Sequence, residues 1–296
     1  MNKEKLKKII LAHNKPLSPI PLDKKELKQY KQIGALTHKV KAVIFDVYGT
    51  MLVSAAGDIG FEQEANQMLF QVIQSKIDPK KLPKSELAKI FLQLIAQEHE
   101  QKKKQGIPYP EVDIVQIWSK FLALYNLKLS ENELQELALC YELLINPCAP
   151  MPFIKEFLSF CKEHNLFLGI ISNAQFYTPL LLETLLGENL STLGFRLDLC
   201  IWSYQEGRAK PDCYLFSKLE KSIQKHGVQP QEILYIGNDR LKDIWPARQA
   251  GWQTALFAGD KRSFRWRDGL EKLNNCYPHL IIQNFLDIKK SFKFFF

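Results

Sequence analysis

The chain has 296 residues, enough for one large domain or two smaller ones with a substantial core. Hydrophobic residues at 46% and charged residues at 24% match a soluble globular protein. No run approaches the roughly 18 consecutive apolar residues of a membrane span. The net charge of +8 is local: residues 1–41 hold eleven Lys against Glu4, Asp23 and Glu26, so residues 42–296 are neutral by difference. The basic start lacks a sustained apolar core with a small-residue cleavage site, and no secretory signal is expected. The six cysteines include no Cys-x-x-Cys pair and several sit in apolar segments, which predicts free thiols, no zinc site and a cytoplasmic location.

Residues 1–40 read as a basic extension. Glu4–His13 and Asp23–Gln32 suit helices, and three prolines between them enforce an extended linker. A basic arm can bind nucleic acid or anionic lipid, but Arg and aromatic residues are sparse here, so a solvated, partly ordered extension is expected and nucleic acid is not. Val43-Ile-Phe45 then forms an apolar run suited to a strand buried on both faces, 42–47. Residues 51–60, with Gly57 and Gly60, read as a mobile loop. Helical periodicity follows over about 61–76, 84–104, 111–126 and 131–145. Pro110 suits the start of the third helix, and Ser130-Glu-Asn-Glu133 is a capping-box pattern for the fourth.

From Pro152 the pattern alternates. Pro152–His164 reads as a helix with Phe153, Phe157 and Phe160 inward, and Phe176–Leu186, Pro211–His226 and Leu241–Ala250 as further helices. Strands are predicted at Leu166–Ser172, Leu197–Ser203, Glu232–Ile236, Thr254–Phe257 and, at an edge, Leu280–Gln283. Such alternation implies a parallel sheet covered on both faces.

Polar residues collect where these strands end. The first ends with Asp46, Tyr48 and Thr50, the second with Ser172 and Asn173; the third leads to Lys210, and the fourth ends with Asn238, Asp239 and Asp243. Strand C-terminal ends in open α/β sheets are where ligands sit. Asp46 can act as a nucleophile or a metal ligand. Asp239 and Asp243 near it would need a cation between them, and Mg2+ suits oxygen ligands. Lys210 would neutralise charge on Asp46 and a transferring group, while Thr50, Ser172 and Asn173 would donate hydrogen bonds to that group. Taken singly, Ser172-Asn173 equally suits a helix cap, Lys210-Pro211 a surface helix start, and Asp239 and Asp243 a helix first turn.

In order, Phe45-Asp-Val-Tyr-Gly-Thr-Met-Leu52, Ile171-Ser-Asn173, Lys210-Pro-Asp212 and Ile236-Gly-Asn-Asp-Arg-Leu-Lys-Asp243 resemble the four motifs of the haloacid dehalogenase-like (HAD) hydrolase superfamily. The resemblance covers about residues 42–285. It implies a Rossmann-like α/β sheet with helices on both faces, made of 41–60 and 147–296, plus an all-α cap at 61–146 of the helical-cap subclass. It implies Asp46 as nucleophile, Ser172 as the motif-two hydroxyl and Lys210 as the motif-three base. It also implies Mg2+ held by Asp46, the Tyr48 backbone carbonyl, Asn238, Asp239 and Asp243.

Two positions depart from the phosphatase pattern. Tyr48 stands where those members carry a second Asp that acts as general acid–base, and its high pKa suits that task poorly at neutral pH. The Asp-x-Tyr-Gly-Thr form looks like that of the 2-haloacid dehalogenases, which need no metal. The fourth stretch lacks their Ser-x-Asn-x-x-Asp pattern, and its Asp239 and Asp243 have the spacing of metal-binding members, although Asn238 follows Gly237 where many carry Asp. The leading expectation is therefore Mg2+-dependent hydrolysis of a small, anionic, phosphorylated metabolite through an aspartyl-phosphate at Asp46. The alternatives are dehalogenation through an Asp46 ester and a catalytically weak scaffold that binds or regulates a partner. Arg262, Arg265 and Arg267 follow the fifth strand and are candidates to clamp an anionic substrate, or members of a solvated loop. No pattern specifies an oligomeric state.

Overall fold

The computed structural model describes residues 2–55, 62–74 and 86–292. The chain opens with α1 (Lys3–His13) and the single-turn α2 (Lys24–Leu27), then enters the core at β1 (Ala42–Phe45). After β2 (Leu52–Ser54) come four helices, α3 (Glu62–Gln74), α4 (Leu87–Lys104), α5 (Ile114–Ala123) and α6 (Glu131–Ile145), and then β3 (Cys148–Pro150). The remainder alternates through α7 (Ile154–Glu163), β4 (Phe167–Ser172), α8 (Thr178–Leu186), β5 (Phe195–Trp202), α9 (Ser203–Glu206), α10 (Cys213–Gln224) and β6 (Ile233–Gly237). A π-helical turn, Arg240–Ile244, leads into α11 (Trp245–Gln249), followed by β7 (Gln253–Phe257), β8 (Leu280–Ile282) and α12 (Phe285–Phe292).

Six strands form one parallel sheet in the order β5-β4-β1-β6-β7-β8, the Rossmann-like α/β arrangement that the alternation predicts. β1 is central and wholly buried because its apolar run serves both faces. Val43 and Phe45 join the cluster under α7 and α12, whereas Ala42 and Ile44 join the cluster under α10. Phe45 pairs with Ile170 of β4 and Ile236 of β6, so the residues just beyond these three strand ends meet at one edge.

Local expectations hold unevenly. The capping box forms at α6: Ser130 N–H donates to Glu133 at 2.8 Å and Glu133 N–H to Ser130 Oγ at 3.4 Å. α5 starts after Asp113, which caps Val115 N–H at 2.9 Å, and not at Pro110, which bridges to Arg208 instead. Residues 52–54 are a strand and not loop: they pair antiparallel with β3 where the chain enters and leaves the helical block. Residues 56–60 of that predicted loop and the helix-end predictions at 61, 75–76 and 84–85 lie outside the described residues. Phe153, expected inward, is 43% exposed because α7 begins one residue later and Phe153 adopts a left-handed φ of 65°. All six cysteines are free thiols, and among the described residues no helix is long and apolar enough to cross a membrane.

The N-terminal segment is docked, contrary to the solvated extension its charge implies. Leu6 and Ile10, one helical turn apart, are buried beneath α6 and α8, while the lysines between them point outward. Lys5 pairs with Glu136 of α6, and Lys7 with Glu183 of α8 at 3.2 Å. Asn14 then bonds both backbone groups of Cys148 in β3, donating to its carbonyl at 2.7 Å and accepting from its N–H at 3.0 Å. Further on, Ile33 and Gly34 N–H groups donate to the Pro278 and His279 carbonyls, and Ile281 N–H donates to the Gln32 carboxamide, so this segment covers the edge strand β8.

If α1 is part of the fold in solution, Ile10→Ala opens a cavity and lowers unfolding free energy in urea by about 2–5 kcal/mol. A change within about 0.5 kcal/mol of zero, the range of a surface substitution, would mean that α1 does not dock.

Candidate active site

Four chain segments meet at the C-terminal edge of the sheet. β1 delivers Asp46, and Gly49 turns the chain away with φ +78°. A side chain on Gly49 would meet Ser263 at 2.4 Å and the Asn238 carboxamide at 2.7 Å, so only glycine lets these loops close together. β6 delivers Gly237, whose missing Cβ leaves room for the Asp243 carboxyl, otherwise 2.4 Å away. The loop after β5 delivers Lys210. Its main chain is fixed by Asn173: Lys210 N–H donates to Asn173 Oδ1 at 2.7 Å, and Asn173 Nδ2 donates back to the Lys210 carbonyl at 3.3 Å.

Lys210 Nζ is the hub. It donates to Asp46 Oδ1 and Asp243 Oδ1, both at 2.6 Å, and to the Tyr235 hydroxyl at 3.1 Å. An ammonium has three N–H donors, and here each has an acceptor. Burial opposes the charged form, yet Asp243 and Asp46 outweigh it and raise the Lys210 pKa above its ordinary value. That shift favours the ammonium form of Lys210 over the neutral amine. Burial first, partly offset by Lys210 and reinforced by Asp46 and Asp239, pushes Asp243 from 3.8 up to about 6. Asp243 Oδ2 accepts from Asp239 N–H at 2.9 Å.

Asp46 is buried and both of its side-chain bonds end on Oδ1, from Lys210 and from Ser172 Oγ at 3.0 Å. Oδ2 takes no hydrogen bond from a described residue. Asp46 lines a cavity of about 160 Å³ that also includes Tyr48, Asn173, Asn238, Asp243 and four cations: Lys210, Lys242, Arg265 and Arg267. That lining suits a small anion.

The predicted residues divide. Asp46, Asn173, Lys210, Asn238, Asp239 and Asp243 converge on the cavity. Thr50 and Ser172 are fully buried and bond protein groups instead of lining it: Thr50 donates to Asn238 Oδ1 at 3.3 Å, and Ser172 to Asp46. Tyr48 borders the cavity, but its hydroxyl is 3.0 Å from Thr178 Oγ1. Burial, with Glu142 and Cys148 nearby, raises its pKa well above the usual phenol range, which keeps it protonated and disfavours it as a base near neutral pH. Arg265 and Arg267 line the cavity, whereas Arg262 pairs with Asp260 at 3.0 Å. Sequence reasoning missed Tyr235, whose hydroxyl also donates to the Ile171 carbonyl at 2.9 Å, because it sits inside the apolar run of β6. It missed Lys242 as well, although Lys242 stands inside the motif between Asp239 and Asp243.

Asp239 is the clearest departure. Its Oδ1 caps the π-helical turn, accepting from Leu241 and Lys242 N–H at 2.9 and 3.1 Å. Its Oδ2 accepts both Nε and Nη2 of Arg267, at 3.1 and 2.7 Å. Both oxygens are thus committed and Asp239 does not fit as a metal ligand. Among the described residues no group of three or more His, Cys, Asp and Glu is set to hold a metal ion. Mg2+, however, is usually held by one or two carboxylates with waters and substrate oxygens. Asp46 Oδ2, which takes no hydrogen bond from a described residue, and Asn238 Oδ1, which accepts a single 3.3 Å bond from Thr50 against two on each Asp239 oxygen, fit that smaller requirement beside the charge of Asp243.

Removing the hub has a defined cost. Lys210→Met leaves two buried carboxylates without their cation and should lower stability by about 3–5 kcal/mol. Adding Asp243→Asn to Lys210→Met should recover a large part of that loss in thermal melts. No recovery in the double variant would show that the two groups are not energetically coupled.

With this geometry established, the chain can be placed among known proteins. A family model described as "haloacid dehalogenase-like hydrolase" matches residues 40–251. The Drosophila melanogaster "Rhythmically expressed gene 2 protein" is 28% identical over 163 residues, 50% of this chain and 58% of that protein. The chain spans about half the length of the curated relatives it matches. The crystal structure of a 2-haloacid dehalogenase from Pseudomonas syringae superimposes with a TM-score of 0.55 at 19% identity, over 85% of this chain and 97% of that one. That of a HAD phosphatase from Thermococcus onnurineus does so with a TM-score of 0.53 at 20% identity, over 86% and 98%. At these identities the two structures establish the fold alone. The family model spans most of the chain, including every residue of the Asp46–Lys210–Asp243 hub, and the protein therefore belongs to the haloacid dehalogenase-like hydrolase family.

Proposed function

We propose that this hydrolase is a Mg2+-dependent phosphatase acting on a small phosphorylated metabolite, and that α3–α6 form a cap over the Asp46 cavity. The observation that carries the reading is the charge distribution. Asp46 and Asp243 bring two carboxylates to one buried ammonium, Lys210, while Asp239 is neutralised by Arg267. The floor of the cavity thus holds excess negative charge beside Asp46 Oδ2 and Asn238 Oδ1, the latter accepting one long bond from Thr50, and the wall holds Lys242 and Arg265 together with the Asp239-paired Arg267. Mg2+ bound at those oxygens would offset the negative charge and polarise a phosphoryl group. An anion reaching the cavity meets cations on the wall.

The protein's own groups then act as follows. Lys210 and Ser172 hold Asp46 through Oδ1, which orients Oδ2 as the nucleophile. Oδ2 attacks phosphorus, the bond to the leaving oxygen breaks, and that oxygen departs with the electron pair. Water attacks the aspartyl-phosphate at phosphorus, the bond to Oδ2 breaks, and the water's proton leaves on the phosphate. With Tyr48 bonded to Thr178 no side chain at that position protonates the leaving oxygen, so leaving groups of low pKa are favoured. The same fact favours a second reading, displacement of halide from a 2-haloacid, because halide needs no proton. A location in the reducing cytoplasm fits the six free thiols.

Aryl-phosphate hydrolysis should require Mg2+, disappear with EDTA and disappear in Asp46→Asn; chloride release from 2-chloropropionate that survives EDTA would replace this reading with the second. Tyr48→Phe should retain activity within about fivefold, and log kcat/KM should fall steeply as leaving-group pKa rises; a flat dependence would mean that a proton donor acts after all. Activity should also fall on acidification through about pH 6, as Asp243 is protonated beside Lys210, and Asp243→Asn should abolish that step. For stability the sign is opposite. A raised carboxyl pKa stabilises the fold below about pH 4 and loses that contribution as pH rises through about 6, so Asp243→Asn should flatten the dependence of unfolding free energy on pH over that window.

A further inference from the structure

A second cavity, of about 490 Å³, lies beside the Asp239–Arg240 turn and is lined by Arg240, Arg267, Lys31, Trp266 and Tyr277 among others. Arg240 is 5% exposed and, among the described residues, pairs with no carboxylate. Its Nε donates to the Cys276 carbonyl at 3.0 Å and its Nη2 to the Leu273 carbonyl at 2.7 Å, which uses two of five guanidinium donors. Its guanidinium carbon lies 4.2 Å from the Trp266 ring centroid and 5.2 Å from that of Tyr277. The Tyr30 ring lies 4.8 Å from that of Trp266, tilted by 38°, and Lys31 sits over Tyr277 at 4.6 Å. Three aromatic rings and two cations therefore form one row, Tyr30, Trp266, Arg240, Tyr277 and Lys31, and the N-terminal segment builds one wall of the cavity through Gln29 and Lys31.

We propose that this cavity is a second anion site that takes a phosphate-type oxyanion, separate from the cavity at Asp46. Three cations face it, and Asp268 at its rim is the one carboxylate among its lining residues. A buried guanidinium held only by carbonyls and ring faces gains from an anion more than an exposed one does. The rings already face Tyr30, Arg240 and Lys31, so the oxyanion is what the site recognises and a planar ring is not required. Gln29 and Asn274 supply further N–H donors at its edge. Arg267 lines both cavities, and the pair it makes with Asp239 is the link between them. An anion competing for that guanidinium would loosen the Asp239 carboxylate at the catalytic edge. The proposal stands on this cavity and does not depend on the reaction assigned to Asp46.

The test is a tryptophan-fluorescence titration with inorganic phosphate at constant ionic strength, since Trp266 lies in the stack. Wild type should show a saturable change that Trp266→Phe removes. Lys31→Glu, at an exposed position, should weaken binding by about tenfold or more, the loss of one charged contact. Lys31→Gln provides the same test if the charge reversal impairs folding, and Lys31→Arg should restore affinity. Lys242→Glu, which alters only the catalytic cavity, should leave the signal in place. Glycerol 2-phosphate on Asp46→Asn, where no turnover occurs, separates the sources: tighter binding than inorganic phosphate assigns the site to organic phosphates, and weaker binding to free phosphate. No saturable change, an equal response to chloride, or a signal lost in Lys242→Glu and kept in Lys31→Glu would overturn the proposal.

Discussion

Everything at the C-terminal edge of the sheet depends on one buried ammonium with three acceptors. Lys210 comes from the loop after β5, Asp46 from β1, and Tyr235 and Asp243 from β6 and the turn that follows it. Ions this deep are stable only when their hydrogen bonds are complete, so the positions of three strands and a turn are fixed by a single side chain. The same constraint explains the surrounding parts. Asn173 clamps the Lys210 main chain from both sides, Ser172 shares the Asp46 oxygen that Lys210 uses, and Gly237 has no Cβ because Asp243 must pass there. A third carboxylate at full charge would overload the arrangement, and Asp239 is drawn off to Arg267.

Much of this was legible in the sequence, and the rest was hidden for identifiable reasons. Apolar runs ending in Asp, Ser-Asn and Asn-Asp marked the strands and the edge where their ends converge, because buried parallel strands tolerate polar groups only past their ends. Tyr235 was hidden because a hydroxyl inside the run Ile233–Gly237 looks like core until its partners are known. The fate of Asp239 was hidden because Arg267 lies 28 positions away, and spacing within a motif cannot register a partner outside it. The strands β2 and β3 were hidden because three residues each are too few for alternation to show.

The N-terminal segment illustrates a different limit. Its lysine count describes its outer face, while its fate was decided by a few apolar residues, Leu6, Ile10, Leu22, Leu36 and Val40, all buried. Composition averages the two faces of an amphipathic segment, and only the i, i+4 spacing of Leu6 and Ile10 distinguishes a docked helix from a solvated one.

That docking has a mechanical corollary. α1 rests on α6 of the helical block and on α8 of the sheet domain, and Asn14 grips β3, one of the two short strands by which the chain enters and leaves the block. Any rotation of the block about β2 and β3 would shear the seat of α1, and would therefore cost the contacts of an eleven-residue helix. A chain beginning after Asn14 would keep Asp46, Lys210 and Asp243 yet lose the helix that bridges the block and the sheet through both α6 and α8.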